Sequence, residues 1–92
     1  MFSGIVEEIG VVADIITFKK SKRITINCKR VLDGISIGDS ISVNGVCLTA
    51  TGMIDNQFDA DIVDETLTKT NLGSLNKNSK SRLMAEYAYS LY

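Results

Sequence analysis

The sequence predicts a small all-β barrel, and three observations carry that prediction: strand-like alternation, tight-turn dipeptides at short intervals, and a length of 92 residues that suits one domain. Ile24, Ile26 and Cys28 alternate with Thr25, Asn27 and Lys29, which puts the apolar set on one face of a strand. Val46, Leu48 and Ala50 alternate in the same way with Cys47, Thr49 and Thr51, and Ile41 and Val43 with Ser40, Ser42 and Asn44. Asp33-Gly34, Gly38-Asp39, Asn44-Gly45, Gly52 and Asp55-Asn56 punctuate these runs, and Asn-Gly between alternating segments is a strong hairpin signal.

Strands are therefore expected over residues 4–16, 22–29, 40–44, 46–53 and 57–63, the first bent or bulged at Gly10. Asp64 to Gly73 reads as a short capped helix, with Asp64 as N-cap, an early acid, a late lysine and Gly73 as terminator. Five or six short strands with one helical turn argue for a Greek-key barrel, because closure leaves no open sheet edge. After the polar stretch 76–82, Leu83, Tyr87 and Leu91 recur at i, i+4 and i+8 and suggest a terminal helix with an apolar stripe. A strand with Tyr87 and Tyr89 on one face is the alternative.

Composition narrows the chemistry. The chain has no histidine, tryptophan or proline, so mechanisms that need an imidazole base or ligand are excluded for this chain alone. Net charge is −1, with a basic region from Lys19 to Arg30 and an acidic one from Asp55 to Glu65. These read as two solvated faces and not as a nucleic-acid groove, since Phe18 is the only aromatic residue beside the basic strand. Cys28 and Cys47 form no CxxC pair and point to reduced thiols in the cytoplasm. The N-terminus lacks a basic, then apolar, signal pattern, and no stretch approaches the ~18 apolar residues of a membrane span. The run Asp55 to Asp61 lacks the glycine of a calcium loop, so no metal site is expected. Cys47, beside Thr49 on a polar strand face, could line a pocket in the barrel mouth; periodicity alone favours a buried structural cysteine.

Four blocks then resemble one family. Met1-Phe2-Ser3-Gly4-Ile5-Val6-Glu7-Glu8-Ile9-Gly10, Ser42-Val43-Asn44-Gly45-Val46-Cys47-Leu48-Thr49-Ala50-Thr51, Phe58-Asp59-Ala60-Asp61 and Glu65-Thr66-Leu67 with Thr70-Asn71-Leu72-Gly73 are similar to the N-terminal barrel of riboflavin synthase. The blocks cover residues 1–75. The resemblance implies a six-stranded Greek-key barrel and the dismutation of two molecules of 6,7-dimethyl-8-ribityllumazine to riboflavin and 5-amino-6-ribitylamino-uracil, without cofactor or metal. In that family each chain carries two barrels, and a site forms where barrels of different subunits face each other in a trimer.

Carried over by motif, Gly4, Ile5 and Val6 would run beside the ring system, Cys47, Leu48 and Thr49 would line it, and Phe2 would project toward the facing barrel. Ser40 and Ser42 match positions near the reaction centre, and Ile62, Val63, Glu65 and Thr66 match contacts to the heterocycle and ribityl chain. Cys47 and Ser40 are the candidates for proton shuttling or transient addition to the ring, with orientation of two stacked rings as the larger contribution. The resemblance fades after the helix, where the family continues with a V-N-L-E-R-A strand and this chain reads Ser81-Arg82-Leu83-Met84-Ala85-Glu86. The expected layout is a lumazine-binding barrel over 1–80 and a divergent, helical tail over 81–92. A homodimer is the expected assembly for a single barrel, or a homotrimer if the chain is part of the full enzyme. The alternative function is a lumazine- or flavin-binding module without turnover.

Overall fold

A computed structural model of the chain describes residues 2–33 and 35–89, with side chains described over 5–33 and 35–85. Six antiparallel strands close into a barrel in the order β1-β2-β5-β4-β3-β6. They are β1 (Phe2–Thr17), β2 (Ser21–Asn27), β3 (Ser40–Val43), β4 (Val46–Ile54), β5 (Gln57–Val63) and β6 (Lys80–Tyr89). The helix α1 (Asp64–Lys69) and two 3-10 turns, Arg30–Leu32 and Asn71–Ser74, lie in the connections. The all-β barrel and the five strands read from alternation are as expected, each within two residues at its ends.

The long first strand serves two neighbours. Phe2 to Val11 pair with β6, and Val11 to Thr17 pair with β2. Where β1 changes partner, a Cβ on Gly10 would stand 2.5 Å from Leu83 Cδ1 and 2.7 Å from Ile26 Cγ2. Gly10 thus permits a close crossing over the core. The register irregularity expected at Gly10 falls instead between Val12 and Asp14, because Gly10 is needed for contact and not for an extra residue.

The helical tail expected over 81–92 is corrected for residues 81–89, which belong to β6. Ser81, Leu83 and Ala85 are buried while Arg82 is exposed and Met84 half-buried, an alternation of period two. An i, i+4, i+8 spacing uses even offsets only, so the Leu83 and Tyr87 positions share a strand face as readily as a helix face. What decides is pairing: β6 supplies the partner that both β1 and β3 need for closure. The stripe's last member, Leu91, lies outside the described residues.

The expected single helix over 64–73 is two pieces. Val63, extended at φ −75° and ψ 157°, occupies the N-cap position, and Asp64 is the first helical residue. Asp64 and Glu65 then sit in the first turn, where the helix dipole favours acids. Thr70 ends the helix in an extended conformation; its hydroxyl donates to the Thr66 carbonyl (2.6 Å) and accepts from Leu72 N–H (3.2 Å). Gly73 therefore lies inside the following turn and does not terminate α1. That turn buries Leu72, and the Arg30–Leu32 turn buries Val31. With Val12, Ile24, Ile26, Ile41, Val43, Leu48, Ala50, Phe58, Ala60, Ile62, Leu83 and Ala85 they make one core.

Candidate functional site: a pocket on the outer wall of the barrel

Strand parity builds the site. Ile41 and Val43 of β3 and Leu48 and Ala50 of β4 point into the core, so Ser40, Ser42, Cys47 and Thr49 face outward. Register places Ser40 opposite Thr49 and Ser42 opposite Cys47. On the other side of β3, Ser42 pairs with Met84 of β6 and Ile41 with Ala85. Ile5 of β1, 67% exposed, completes a shallow pocket of about 260 Å³ lined by Ile5, Ser40, Ser42, Cys47, Met84 and Ala85.

Two turns hold these strands in place. Before β3, Asp39 Oδ2 accepts from Ser36 N–H (2.8 Å). Gly38 at φ 99° donates to the Ala50 carbonyl (2.8 Å), and the Asp39 carbonyl accepts from Ala50 N–H (2.9 Å). Ser40 thus enters β3 already in register with β4. At the far end Asn44 and Gly45, at φ 51° and 86°, make the left-handed pair a two-residue hairpin needs. Asn44 Oδ1 accepts from Arg82 N–H (2.9 Å), and Asn44 N–H donates to the Arg82 carbonyl (2.9 Å), which fastens the β3–β4 hairpin to β6.

Among the described residues the pocket lining carries no charged side chain, and its polar groups are unspent. Among the described residues, no protein group hydrogen-bonds the side chains of Ser40, Ser42 or Cys47. Two hydroxyls can each donate and accept, the thiol is a weak donor and acceptor, and Met84 and Ile5 offer apolar contact, the thioether in particular to an aromatic face. Such a surface suits a flat heteroaromatic ring with polar edges. At about 260 Å³ it falls below the roughly 300–1,000 Å³ that encloses a small-molecule ligand, so it is an open depression and not an enclosing cavity. Among the described residues no cluster of histidine, cysteine and acidic side chains could hold a metal ion, and no helix is long and apolar enough to cross a membrane.

The lumazine-binding domain model matches residues 3–85. The chain belongs to the lumazine-binding domain family. Its curated relatives include riboflavin synthase of Actinobacillus pleuropneumoniae, 48% identical over 83 residues, which are 90% of this chain and 39% of that protein. Riboflavin synthase of Bacillus amyloliquefaciens is 47% identical over the same shares, and that of Mycobacterium bovis 45% identical over 90% of this chain and 42% of its own length. The chain thus spans about two fifths of the curated relatives it matches.

Within this lumazine-binding barrel the expected site residues divide into groups. Ile5, Ser40, Ser42 and Cys47 come together in the pocket wall, and Thr49 adjoins it as the partner of Ser40. Cys47 is exposed, which corrects its reading as a buried structural cysteine; the buried one is Cys28, whose thiol burial pushes up to about 12, helped by the charge of Glu8. The pocket lies on the outer wall and not in the barrel mouth, because the interior is filled by side chains. Leu48 and Ile62 are 6% and 2% exposed, so their side chains belong to the core and not to the pocket wall. Val6 is half-buried and packs against the core.

Val63, 56% exposed at the end of β5, together with Glu65 and the half-buried Thr66 of α1, does not line the pocket. Glu65 is occupied by Lys69 at 2.7 Å. Phe2 and Gly4 lie in β1, and their side-chain surroundings fall outside the described residues. Sequence reasoning missed Met84 and Ala85, which were assigned to a helical tail; the Ser81, Leu83, Ala85 alternation was the available signal.

Proposed function

We propose that this barrel binds 6,7-dimethyl-8-ribityllumazine and riboflavin on its outer wall and supplies one half of a riboflavin synthase site. The observation that carries the reading is the pocket: unspent hydroxyl and thiol groups of Ser40, Ser42 and Cys47 set between apolar Ile5 and Met84. Family membership over residues 3–85 and riboflavin synthase relatives at 45–48% identity support it. The reaction transfers a four-carbon unit between two lumazines, giving riboflavin and 5-amino-6-ribitylamino-uracil. The acidic 7-methyl group of the substrate ring does much of the chemistry, and stacking the two rings face to face supplies orientation. Ser40 and Cys47 move protons at the ring, with no cofactor or metal. Backbone groups of Leu48 and Thr49 meet the ring edge.

One open wall calls for a second. A second copy docked on the same face makes a homodimer with the two rings stacked between the pockets, since an isologous contact is available to a single patch; in a full-length enzyme the arrangement is a homotrimer. Two free thiols accord with a cytoplasmic location. The test is to mix the chain with the lumazine and follow riboflavin fluorescence. Turnover that rises more steeply than chain concentration is expected. Ligand binding without riboflavin at high chain concentration overturns the enzyme and leaves a lumazine- or flavin-binding module; no change in ligand fluorescence overturns both.

A further inference from the structure

Met84 of the ring pocket also lines a second groove, of about 520 Å³, together with Asn44, Gly45, Asn71 and Arg82. This groove has a different chemistry. Asn44 Oδ1 is already taken by Arg82 N–H, which leaves the amide hydrogens of Asn44 as its free polar group. Asn71 opens the second 3-10 turn, and Arg82 is exposed on the outward face of β6. Among the described residues the Arg82 guanidinium has no acidic partner within salt-bridge distance. Arg82 also borders a groove with Glu7, Glu8, Ile9 and Arg30. The Glu8 carboxylate there accepts from the backbone N–H groups of Lys29, Arg30 and Val31 at 2.8, 2.7 and 3.1 Å, and Glu7 shares that groove with both Arg30 and Arg82 without a salt bridge to either.

Resting on the ring-binding reading above, we infer that the Asn44–Asn71–Arg82 groove is an anion subsite for the phosphorylated end of a flavin-type ligand whose ring occupies the Ser40–Ser42–Cys47 pocket. Met84 and Arg82 stand two residues apart on one strand face, about 6.6 Å along the strand, and an extended ribityl chain has similar reach. A guanidinium without an acidic partner among the described residues, lining one groove with two amide side chains, is a donor set matched to phosphate oxygens, whereas the described lining of the ring pocket carries no charge. The ligand class is therefore a ribityl-bearing heterocycle with a terminal phosphate monoester, such as FMN.

Dissociation constants of riboflavin and FMN, measured on the whole chain by flavin fluorescence at low and at physiological salt, test this. FMN is expected to bind on the order of tenfold more tightly at low salt, with the preference shrinking as salt screens it. Arg82→Gln should bring the FMN-to-riboflavin ratio close to one, and Asn71→Ala should reduce it in part. Lys19→Gln, at the β1–β2 turn, should leave the ratio unchanged. Equal affinity of the unaltered chain for the two ligands overturns the subsite while the ring site stands. A preference that survives Arg82→Gln also overturns it. Binding of neither ligand overturns the ring site as well.

Discussion

The two sides of the barrel are built alike within and differently without. On the β2–β5 side, residues that face each other across the ladder satisfy each other. Arg23 pairs with Asp61 at 2.8 Å, the Thr25 hydroxyl donates to Asp59 at 2.6 Å, and the Gln57 amide donates to Asn27 at 2.7 Å. On the β3–β4 side the register partners Ser40 and Thr49, and Ser42 and Cys47, are short side chains that leave their polar atoms open. Both walls rest on the same core. A wall that completes its own hydrogen bonds has nothing to offer a ligand, and one that stops short has a recognition surface.

The deepest way to break this comparison is at the joint, where both walls depend on β1. Gly10→Val would drive methyl groups into Leu83 of one side and Ile26 of the other. Because the contact is with core side chains under close-packed strands, we expect a loss of about 3 kcal/mol, at the upper end for overpacking. Urea unfolding should show it. A stable Gly10→Val chain would mean that β1 is not held where these contacts place it.

The two cysteines give the next largest effect. Cys47 on the open wall is exposed and Cys28 is buried, with its thiol raised to about 12 by desolvation and then by Glu8. Thiol reagents should modify Cys47 faster than Cys28 by about a hundredfold or more, since Cys28 must wait for the barrel to open. The raised thiol also gives a pH signature. As pH rises past the ordinary thiol range the unfolded chain loses its proton while folded Cys28 keeps it, so stability should fall until pH reaches about 12. Cys28→Ala should flatten that alkaline slope, and an equal slope in the variant would show that Cys28 does not cause it.

These differences also show what could be read from the sequence. The alternations at Ile24 to Cys28 and Val46 to Thr51 and the Asn44-Gly45 turn gave β2, β3 and β4 to within two residues at their ends, because one buried face gives a period-two pattern and a tight turn needs particular residues. β6 was hidden because Ser81 stands where the alternation wants an apolar side chain, and because the spacing of Leu83 and Tyr87 fits a strand and a helix equally. Its partners lie far away, in β1 and β3, and non-local pairing leaves no local mark. The pocket suffered for the same reason. Cys47 was found on the polar face of its strand, Ser40 and Ser42 through the family resemblance, while Met84 came with the misread strand. Cys47 was misjudged because alternation says which residues share a face but not which face is buried; the core positions of Leu48 and Ala50 settle that.

On the open wall, Ser42→Leu should fill the pocket between Cys47 and Met84 and weaken riboflavin binding by about tenfold, near 1.4 kcal/mol, with little change in melting temperature because the side chain projects outward. A loss of stability equal to the loss of affinity would instead place Ser42 among the supports of the barrel.

The smallest effect belongs to the closed wall. Arg23 and Asp61 are each about two fifths exposed, so water and salt already screen their attraction, and Arg23 has a second hold on Phe18 with its guanidinium 5.3 Å from the ring centroid. Asp61→Asn removes the charge and keeps the shape. It should lower stability only slightly at low salt and less as ionic strength rises, with no effect on flavin affinity. That null result matters to the comparison. The route from Asp61 to the ring pocket runs through β5 and β4, and the β4–β5 ladder already shifts register between Ala50 and Gly52. A change in flavin affinity on Asp61→Asn would show that the two walls communicate across that irregularity and are not independent surfaces on a shared core.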